Sequence, residues 1–163
     1  MRTYYAIALG SNQRHPHFGA PHLILKAAFS TLDEKPLRLI ARARTISSRP
    51  IGPSQRTYAN SAALISTKLS PPELLTYLKS IERHFGRRKR GQNWRARVLD
   101  LDIILWSGGL WSDKTLSIPH PHFRCRSFVL TPLADIARDQ RDPISGFSAS
   151  HLKARLDRKR RPA

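Results

Sequence analysis

Residues 82–106 read E-R-H-F-G-R-R-K-R-G-Q-N-W-R-A-R-V-L-D-L-D-I-I-L-W, and the rest of the chain is organised around this stretch. It begins at Glu82, passes seven Arg and Lys residues without an acid, and ends in an apolar run that carries Asp100 and Asp102. Because the cations outnumber the acids, ion pairing alone does not account for them. Arginine and lysine bind polyphosphate oxygens, and carboxylates bind the divalent metal that accompanies them. The stretch predicts a site for a polyphosphate with magnesium.

The two aspartates lie in residues 98–106, a run with the composition of a strand. Side chains alternate faces along a strand, so Asp100 and Asp102 are expected on one face with Cα atoms about 6.5–7 Å apart. The residues expected to point the other way, into the core, are Leu99, Leu101, Ile103 and Leu105. Such a pair of carboxylates can hold one metal jointly or two metals. In the plainer alternative both acids are solvated or paired with arginines. Ile104 and Trp106, expected on the same face, indicate instead that this face is covered by other parts of the protein and not open to water.

The composition predicts one soluble domain. A chain of 163 residues buries a sizeable core without a metal or disulfide. Its single cysteine, Cys125, cannot form an internal disulfide, which favours a reducing cytoplasm. No run approaches the ~20 apolar residues of a membrane span, and the first residues do not have the pattern of a signal peptide. We therefore expect a cytoplasmic protein without a membrane partner.

The charge balance is strongly basic, with 29 Lys and Arg against 11 Asp and Glu and a net charge of +18. This excess predicts attraction to nucleotides, nucleic acid or anionic surfaces, and it does not bear on the fold. Residues 1–150 are interpreted as the domain and residues 151–163 as a basic C-terminal tail. The tail has the composition of a solvated, frayed helix end.

The order of predicted elements indicates the fold. Strands are predicted at residues 3–9, 37–48, 58–69 and 98–106, and helices at residues 19–32, 70–86 and 128–137, the last being the final helix. The helix at 70–86 opens with Ser70 as N-cap, Pro71 at its first position and Glu73 in its first turn, and it ends at Gly86. The order strand, helix, strand, strand, helix, strand is that of a ferredoxin-like α+β fold, with helices packed on an antiparallel sheet in three layers.

Several further side chains could bind a ligand. His120 and His122 lack the cysteines or helical spacing of a zinc site, so donation to phosphate is the favoured role for one of them. The aromatic side chains that offer a flat face to a heterocycle are Tyr58, Trp94, Trp106 and Phe128. The turn formed by residues 10–12 is not a phosphate loop, because no G-x-x-x-x-G-K-[ST] motif follows.

Four motifs in order resemble a known family. They are A-L-G-S-N near the start, P-I-G-P with Y-A-N in the middle, I-E-x-x-x-G-R-R-K before R-x-x-D-L-D-I-I-L, and I-P-H-P-x-x-x-x-R-S-F-V-L-x-P-L-A-D-I-A after it. Together they are similar to the 6-hydroxymethyl-7,8-dihydropterin pyrophosphokinases, and the likeness extends to about residue 147. The resemblance implies a ferredoxin-like fold. It also implies transfer of the terminal diphosphate of ATP to a dihydropterin in folate biosynthesis, with release of AMP.

The resemblance also implies which residues form the nucleotide half of the site. Asp100 and Asp102 would bind two Mg²⁺ ions, and Arg87 and Arg97 would act on the moving phosphates. The remaining residues implied at the nucleotide are Lys79, Glu82, Lys89, Trp94, Ile103, Ser117, His120 and Arg126. Trp94 would belong to a mobile loop that closes over the site and expels water.

For the pterin, the resemblance implies Tyr58 and Phe128 as stacking faces and Asn60 as the side chain that reads the polar edge of the ring. Ser48 and Ile51 would line the pocket through their backbone. The chain departs from the family pattern where W-R-A-R at residues 94–97 replaces W-G-P-R, and where Lys79 replaces a usual glutamine. The expected partners are thus ATP and a dihydropterin, bound by a monomer.

Two alternatives follow from these features. A paralogue acting on another pterin would keep both aspartates but change the pocket. A nucleic-acid-binding module would account for the charge, since basic ferredoxin-like sheets bind RNA. It would leave the two carboxylates unexplained, and no R-G-F-G-F-V-like aromatic motif is present, so no nucleic-acid partner is expected.

Overall fold

The centre of the fold is an antiparallel sheet, seen here in a computed structural model that describes residues 1–49, 56–86 and 97–160. Its five strands are β1 (Thr3–Ser11), β2 (Arg38–Arg42), β3 (Ile46–Ser48), β4 (Tyr58–Thr67) and β5 (Asp100–Trp106). They are ordered β2-β4-β1-β5, and β3 also pairs with β4. The predicted antiparallel α+β fold is confirmed. Strand β1 pairs with β4 on one side and with β5 on the other, so it brings the ends of β4 and β5 together.

Helices cover both faces of this sheet. They are α1 (Pro21–Leu32), α2 (Pro71–His84), α3 (Ser127–Ile136) and α4 (Ala149–Arg160). Tyr5, Ile7 and Leu9 of β1 pack into one apolar core with α1 and α2. Ala6 and Ala8 face a second core formed with α3 and α4. This alternation of one strand between two cores gives the predicted three layers.

The ends of α2 follow their sequence signals. The Glu73 carboxylate accepts hydrogen bonds from the Ser70 backbone N–H (2.7 Å) and hydroxyl (2.6 Å), which satisfies donors at the start of the helix. Gly86 follows the helix with φ +90°, a conformation that other residues rarely adopt. The predicted start at Ser70 and end at Gly86 are confirmed.

Strand β5 contains a bulge that the sequence pattern does not reveal. Ile7 pairs with Ile103 while the adjacent Ala6 pairs with Leu105, so β5 has one extra residue. The bulge reverses the facing of the residues beyond it. Leu105 therefore packs in the core beside α3, and Trp106 packs against the core beside α1 and α2. The predicted facing of these two residues is wrong.

The predicted strand at 37–48 is two strands. Leu39 and Ala41 pair with consecutive residues of β4, so the register shifts there, and β2 ends at Arg42. The Ser61 hydroxyl then donates to the carbonyl of Ala43 (3.0 Å), and β3 begins at Ile46. In the segment between the end of β2 and the start of β3, a side-chain hydrogen bond thus replaces part of the backbone ladder with β4.

The helix at 128–137 is confirmed as α3, but it is not the last helix. After it, α4 covers most of the segment interpreted as a tail. Ala149 and Leu152 are buried against α3, and Leu156 packs against the same core. The division of the chain at residue 150 stays a prediction.

A short hairpin joins β5 to α3. Its strands are β6 (Trp111–Ser112) and β7 (Ser117–Ile118), and a 3₁₀ turn at Phe123–Cys125 follows. The His120 N–H donates to the carbonyl of Ile104 (3.0 Å), which holds this connection against the outer edge of β5. In residues 1–49, 56–86 and 97–160, none of the helices has both the length and the apolar composition of a membrane span.

Candidate active site

Three directly paired residues form a row across the sheet. Gly10 of β1 pairs with Asn60 of β4 on one side and with Asp100 of β5 on the other. Directly paired residues share a face, so both side chains project toward the layer of α3. Adjacent strands are about 4.8 Å apart, which places the Asn60 and Asp100 Cα atoms about 10 Å apart. The predicted pterin-binding and metal-binding residues therefore lie on one surface.

Small residues form the floor between them. The next row toward the middle of the sheet is Ala62, Ala8 and Asp102, again directly paired. A Cβ added at Gly10 would lie 3.6 Å from the Asn60 Oδ1 atom, so even a methyl group would fill part of this floor. Among these paired residues, Gly10, Ala8 and Ala62 place no large side chain between Asn60 and the two aspartates.

Asp100 and Asp102 lie on the same face, as predicted from their spacing. Burial and the neighbouring Asp100 carboxylate raise the pKa of Asp102 to about 6. A buried carboxylate beside another one is destabilised unless a cation neutralises it. The pair therefore fits a divalent cation with oxygen ligands. Across the described part of the chain, no group of three or more His, Cys, Asp or Glu residues could hold a metal, so phosphate oxygens and water would complete the coordination.

Arg97 provides a cation beside this pair. Its guanidinium donates to the Asp100 Oδ2 atom at 2.7 Å. Burial alone would lower the pKa of Arg97, but the charges of Asp100 and Asp102 and the hydrogen bond to Asp100 raise it above its ordinary value. The side chain keeps 37% of its surface exposed, so it can also contact a ligand.

The predicted pterin-binding residues form the other end of the row. The Asn60 Nδ2 atom donates to the Ser48 hydroxyl at 2.6 Å, which leaves the Asn60 Oδ1 atom facing the Gly10 floor. Tyr58 pairs with Ser48 and lies on the same face. Burial raises the pKa of Tyr58, and both Arg97 and Asp100 act on it electrostatically. Tyr58 is therefore close to the acidic end of the site.

The segment before α3 contains two further nitrogen donors, Arg126 and His120. The Arg126 guanidinium lies 5.9 Å from the centre of the Phe128 ring, and Phe128 packs against the core beside α3. Burial, Arg126 and His122 lower the pKa of His120 to about 4, so His120 is neutral at pH 7. Its Nδ1 atom accepts the His122 N–H at 3.2 Å. The neutral ring therefore carries its proton on Nε2 and can donate from there.

Glu82, which the resemblance implies at the nucleotide, lies in the last turn of α2 and contacts β5. It is fully buried, and its Oε1 atom accepts the Leu101 N–H (2.8 Å) and the Lys79 ammonium (2.9 Å). Leu101 is the residue between the two aspartates, so Glu82 holds the outer edge of β5 at that point. The Lys79 charge also acts on Asp102, so Lys79 lies near the acid pair.

The other residues implied at the nucleotide have mixed positions. The Ile103 side chain is 3% exposed and packs in the core beside α1 and α2, so only its main chain could reach a ligand. Ser117 is exposed on β7. The predicted site residues Ile51, Arg87, Lys89 and Trp94 lie outside the described residues, and their roles stay predictions.

Sequence reasoning missed two residues of the site. Gly10 and Asn12 belong to the A-L-G-S-N motif, which was interpreted only as a turn. Gly10 is instead part of β1 and forms the floor of the site. The Asn12 Oδ1 atom accepts the Arg97 N–H at 2.7 Å, and the Asn12 N–H donates to the Arg97 carbonyl at 3.1 Å. The available signal was the glycine inside an apolar strand pattern, which marks a close approach.

Comparisons with known proteins agree on one family. The family model described as 7,8-dihydro-6-hydroxymethylpterin-pyrophosphokinase (HPPK) matches residues 6–138. A Haemophilus influenzae protein named 2-amino-4-hydroxy-6-hydroxymethyldihydropteridine pyrophosphokinase is 39% identical over 160 residues, 98% of this chain and 96% of that protein. A Pseudomonas aeruginosa protein of the same name is 40% identical, covering 84% of this chain and 82% of its own length. A Synechocystis protein of that name is 44% identical over a match that covers 68% of this chain and 56% of the Synechocystis protein.

The solved structures support the fold. A Plasmodium falciparum HPPK-DHPS structure matches 98% of this chain with a TM-score of 0.73 and 14% sequence identity. This chain spans 46% of that longer protein. At this level of identity the likeness shows a shared α+β fold.

Proposed function

Because the chain belongs to the 7,8-dihydro-6-hydroxymethylpterin-pyrophosphokinase family, we propose that it transfers diphosphate from ATP to the hydroxymethyl group of 6-hydroxymethyl-7,8-dihydropterin in folate biosynthesis. The observation that carries this proposal is the row of Asn60, Gly10 and Asp100. Asn60 can hydrogen-bond to a heterocycle, and the carboxylates of Asp100 and Asp102 can bind a metal-bound polyphosphate. Asn60 and Asp100 lie on one surface, about two strand spacings apart.

The pterin occupies the Asn60 end. The Asn60 amide is oriented by its hydrogen bond to Ser48, so the Oδ1 atom is free to accept from the N–H groups of the ring edge. Tyr58 from the sheet and Phe128 from α3 supply the two flat faces. Arg97 and Asp100 act electrostatically on the half-buried Tyr58, which supports a position of its ring near the reacting groups.

At the other end, Asp100 and Asp102 would hold magnesium. When bound, Mg²⁺ neutralises charge on the phosphates and polarises them for attack. The number of ions we propose is two, as the family resemblance implies, and the two carboxylates have the spacing to hold either one ion jointly or two. Glu82 supports this arrangement by holding the Leu101 N–H between the two acids.

The remaining cations act on the phosphates. Arg97, fixed beside Asp100, contacts the negative oxygens where charge increases during transfer. Arg126, whose charge acts on His120, adds a second guanidinium, and the neutral His120 donates from Nε2. In the reaction the pterin hydroxyl oxygen forms a bond to the β-phosphorus. The bond from that phosphorus to the oxygen bridging to the α-phosphate breaks, and AMP and one proton are released.

We propose that Arg87, Lys89 and Trp94 close over the phosphates and that Ile51 lines the pterin pocket. Lys79, Ile103 and Ser117 are proposed as the outer part of the nucleotide site. We further propose a cytoplasmic monomer in which residues 1–150 form the catalytic domain.

The test is to identify the nucleotide product. The protein is incubated with ATP, magnesium and 6-hydroxymethyl-7,8-dihydropterin, and the nucleotides are separated by chromatography. AMP in amounts equal to the pterin consumed is expected. ADP would indicate an ordinary kinase. Neither product, together with salt-sensitive retention of RNA, would favour the nucleic-acid-binding alternative.

A further inference from the structure

One residue holds both main-chain polar groups of Arg97. Asn12 lies directly after β1 and is 4% exposed. Its side-chain Oδ1 atom accepts the Arg97 N–H at 2.7 Å, and its own N–H donates to the Arg97 carbonyl at 3.1 Å. The two residues are 85 positions apart in the chain. Arg97 lies outside β5, so Asn12 supplies the pairing that a strand ladder would otherwise provide.

The direction of the Arg97 side chain depends on this pairing. Its guanidinium reaches Asp100, three residues further on, at 2.7 Å. A long side chain with several rotatable bonds keeps a fixed direction only when its main chain is fixed. If the main chain at Arg97 moved, the guanidinium would leave the place where the phosphates and carboxylates meet.

We propose that Asn12 is a positioning residue for diphosphate transfer, which it assists by fixing the main chain of Arg97 beside Asp100. This inference rests on the proposed function of the site. Asn12 touches neither substrate and acts only through Arg97.

The chemical type of the residue fits this role. An aspartate would offer the same oxygen to the Arg97 N–H, but it would add a third negative charge near Asp100 and Asp102. That charge would compete for the Arg97 guanidinium. The neutral amide avoids this competition, although its Nδ2 atom is buried without a hydrogen-bond partner in the described part of the chain. Packing alone does not favour a buried donor in that state.

The first test is Asn12→Ala. It should lower kcat about 10–100-fold, because small misplacements of a catalytic group have effects of this size, and it should leave KM for ATP and for the pterin within about twofold. The matched control is Thr67→Ala at the far end of the sheet. Thr67 is buried like Asn12, and its hydroxyl accepts the Leu69 N–H (3.2 Å) and donates to the Pro36 carbonyl (3.0 Å). The control should lower the melting temperature while kcat stays unchanged. An equal loss of kcat in both variants would overturn the inference.

A double-mutant cycle separates positioning from a general structural role. Arg97→Ala removes the guanidinium but keeps the main-chain groups that Asn12 binds. In that background, Asn12→Ala should lower kcat by less than about twofold, since Asn12 has nothing left to position. Losses that multiply fully would show that Asn12 acts independently of Arg97 and would contradict the proposal.

Hydrogen exchange at the Arg97 amide, measured by NMR, does not depend on activity. Exchange should be slow in the unaltered protein, at least about tenfold faster in Asn12→Ala, and unchanged in Thr67→Ala. Rapid exchange in the unaltered protein would refute the inference even if AMP is formed. Slow exchange without AMP formation would instead refute the proposed function, and the pairing would then have no role in diphosphate transfer.

Discussion

Asn60 and Asp100 lie on either side of Gly10 in the sheet, each as its direct cross-strand partner. The distance between the two ends of the site is thus set by two strand spacings and not by loops. A sheet holds such a distance more rigidly than a loop does, because its ladder hydrogen bonds tie the three strands together. The residue between them has no side chain, and this makes the floor of the site testable.

Gly10→Ala should separate stability from binding. The added methyl group meets Asn60 at an ordinary contact distance of 3.6 Å, so the fold accommodates it. Loss of glycine restricts the unfolded chain and should leave the free energy of unfolding unchanged or raise it by up to about 1 kcal/mol. The methyl group occupies the floor beside Asn60, so KM for the pterin should rise about tenfold, equivalent to about 1.4 kcal/mol. Steady-state kinetics and urea unfolding measure the two effects.

The control for this variant is Ser11→Ala. Ser11 is the next residue of β1, and its side chain projects to the opposite face of the sheet. The KM of the Ser11→Ala variant for the pterin should stay unchanged. If both variants raised KM equally, the effect would come from β1 in general and not from the floor.

Asp102→Asn should remove turnover without weakening the fold. Burial and Asp100 raise the pKa of Asp102 to about 6, which means that its charge is unfavourable in the protein without a cation. A neutral amide should therefore leave the melting temperature equal or higher at pH 7, and Asp102→Ala should also fold. Turnover should fall at least about 1,000-fold, since the loss of a metal ligand removes stabilisation of the transferring phosphates.

Thermal-shift measurements with a non-hydrolysable ATP analogue and magnesium check the cause. The unaltered protein should be stabilised by the pair of ligands, and Asp102→Asn should lose most of that stabilisation. Asp135→Asn, an exposed acid of α3, should behave like the unaltered protein in both assays. Full activity of Asp102→Asn would remove the metal role assigned here.

Glu82→Ala and Glu82→Gln should differ. The alanine variant leaves the buried Leu101 N–H without an acceptor, which should cost about 1–3 kcal/mol of unfolding free energy and displace the strand between the two aspartates. Its kcat should fall as well. The glutamine variant keeps an oxygen for Leu101 and should recover most of the stability and activity. Should glutamine prove as damaging as alanine, the Glu82 charge would be required and its main role would lie with Lys79 or the nucleotide.

The ion pair between Arg124 and Asp142 predicts a pH dependence. Two Arg124 nitrogens donate to the fully buried Asp142 carboxylate, each at 2.7 Å. Burial alone would raise the pKa of Asp142, but hydrogen bonds from Arg124, Ser145 and Ile144 lower it to about 2. A folded-state pKa below the ordinary value of 3.8 stabilises the protein at higher pH, and this stability is lost as pH falls from about 4 to about 2.

The lowered pKa of Asp142 contributes about 2 kcal/mol to the free energy of unfolding above pH 5. Urea unfolding of the unaltered protein and of Asp142→Asn from pH 2 to pH 7 should therefore show curves that converge at low pH and separate at high pH. The exposed Asp139 of the same loop serves as control, and Asp139→Asn should follow the unaltered protein throughout. A constant difference between Asp142→Asn and the unaltered protein at all pH values would contradict the assigned pKa.

The features that the sequence predicted depend on local patterns. The facing of Asp100 and Asp102 follows from strand alternation within three residues, and the start of α2 follows from Ser70 and Glu73. These patterns act over one turn or one pleat, so they can be identified without knowing the partner elements.

The features that the sequence did not predict depend on partners far away in the chain. The bulge in β5 exists only relative to β1, and it reversed the expected facing of Leu105 and Trp106. Asn12 reaches Arg97 across 85 positions, so no local motif shows the contact. The α4 helix has a low apolar content, and its signal was limited to Ala149, Leu152 and Leu156 at helical spacing.

In the proposed reaction two phosphoryl groups move together from ATP onto the pterin, and ³¹P NMR of the purified pterin product can detect both of them. We expect two mutually coupled phosphorus signals in equal amounts, one of them also coupled to the pterin CH₂ protons, and none in a reaction with Asp102→Asn. A single phosphorus signal on the pterin, or a pterin recovered without phosphorus after ATP has been consumed, would contradict diphosphate transfer.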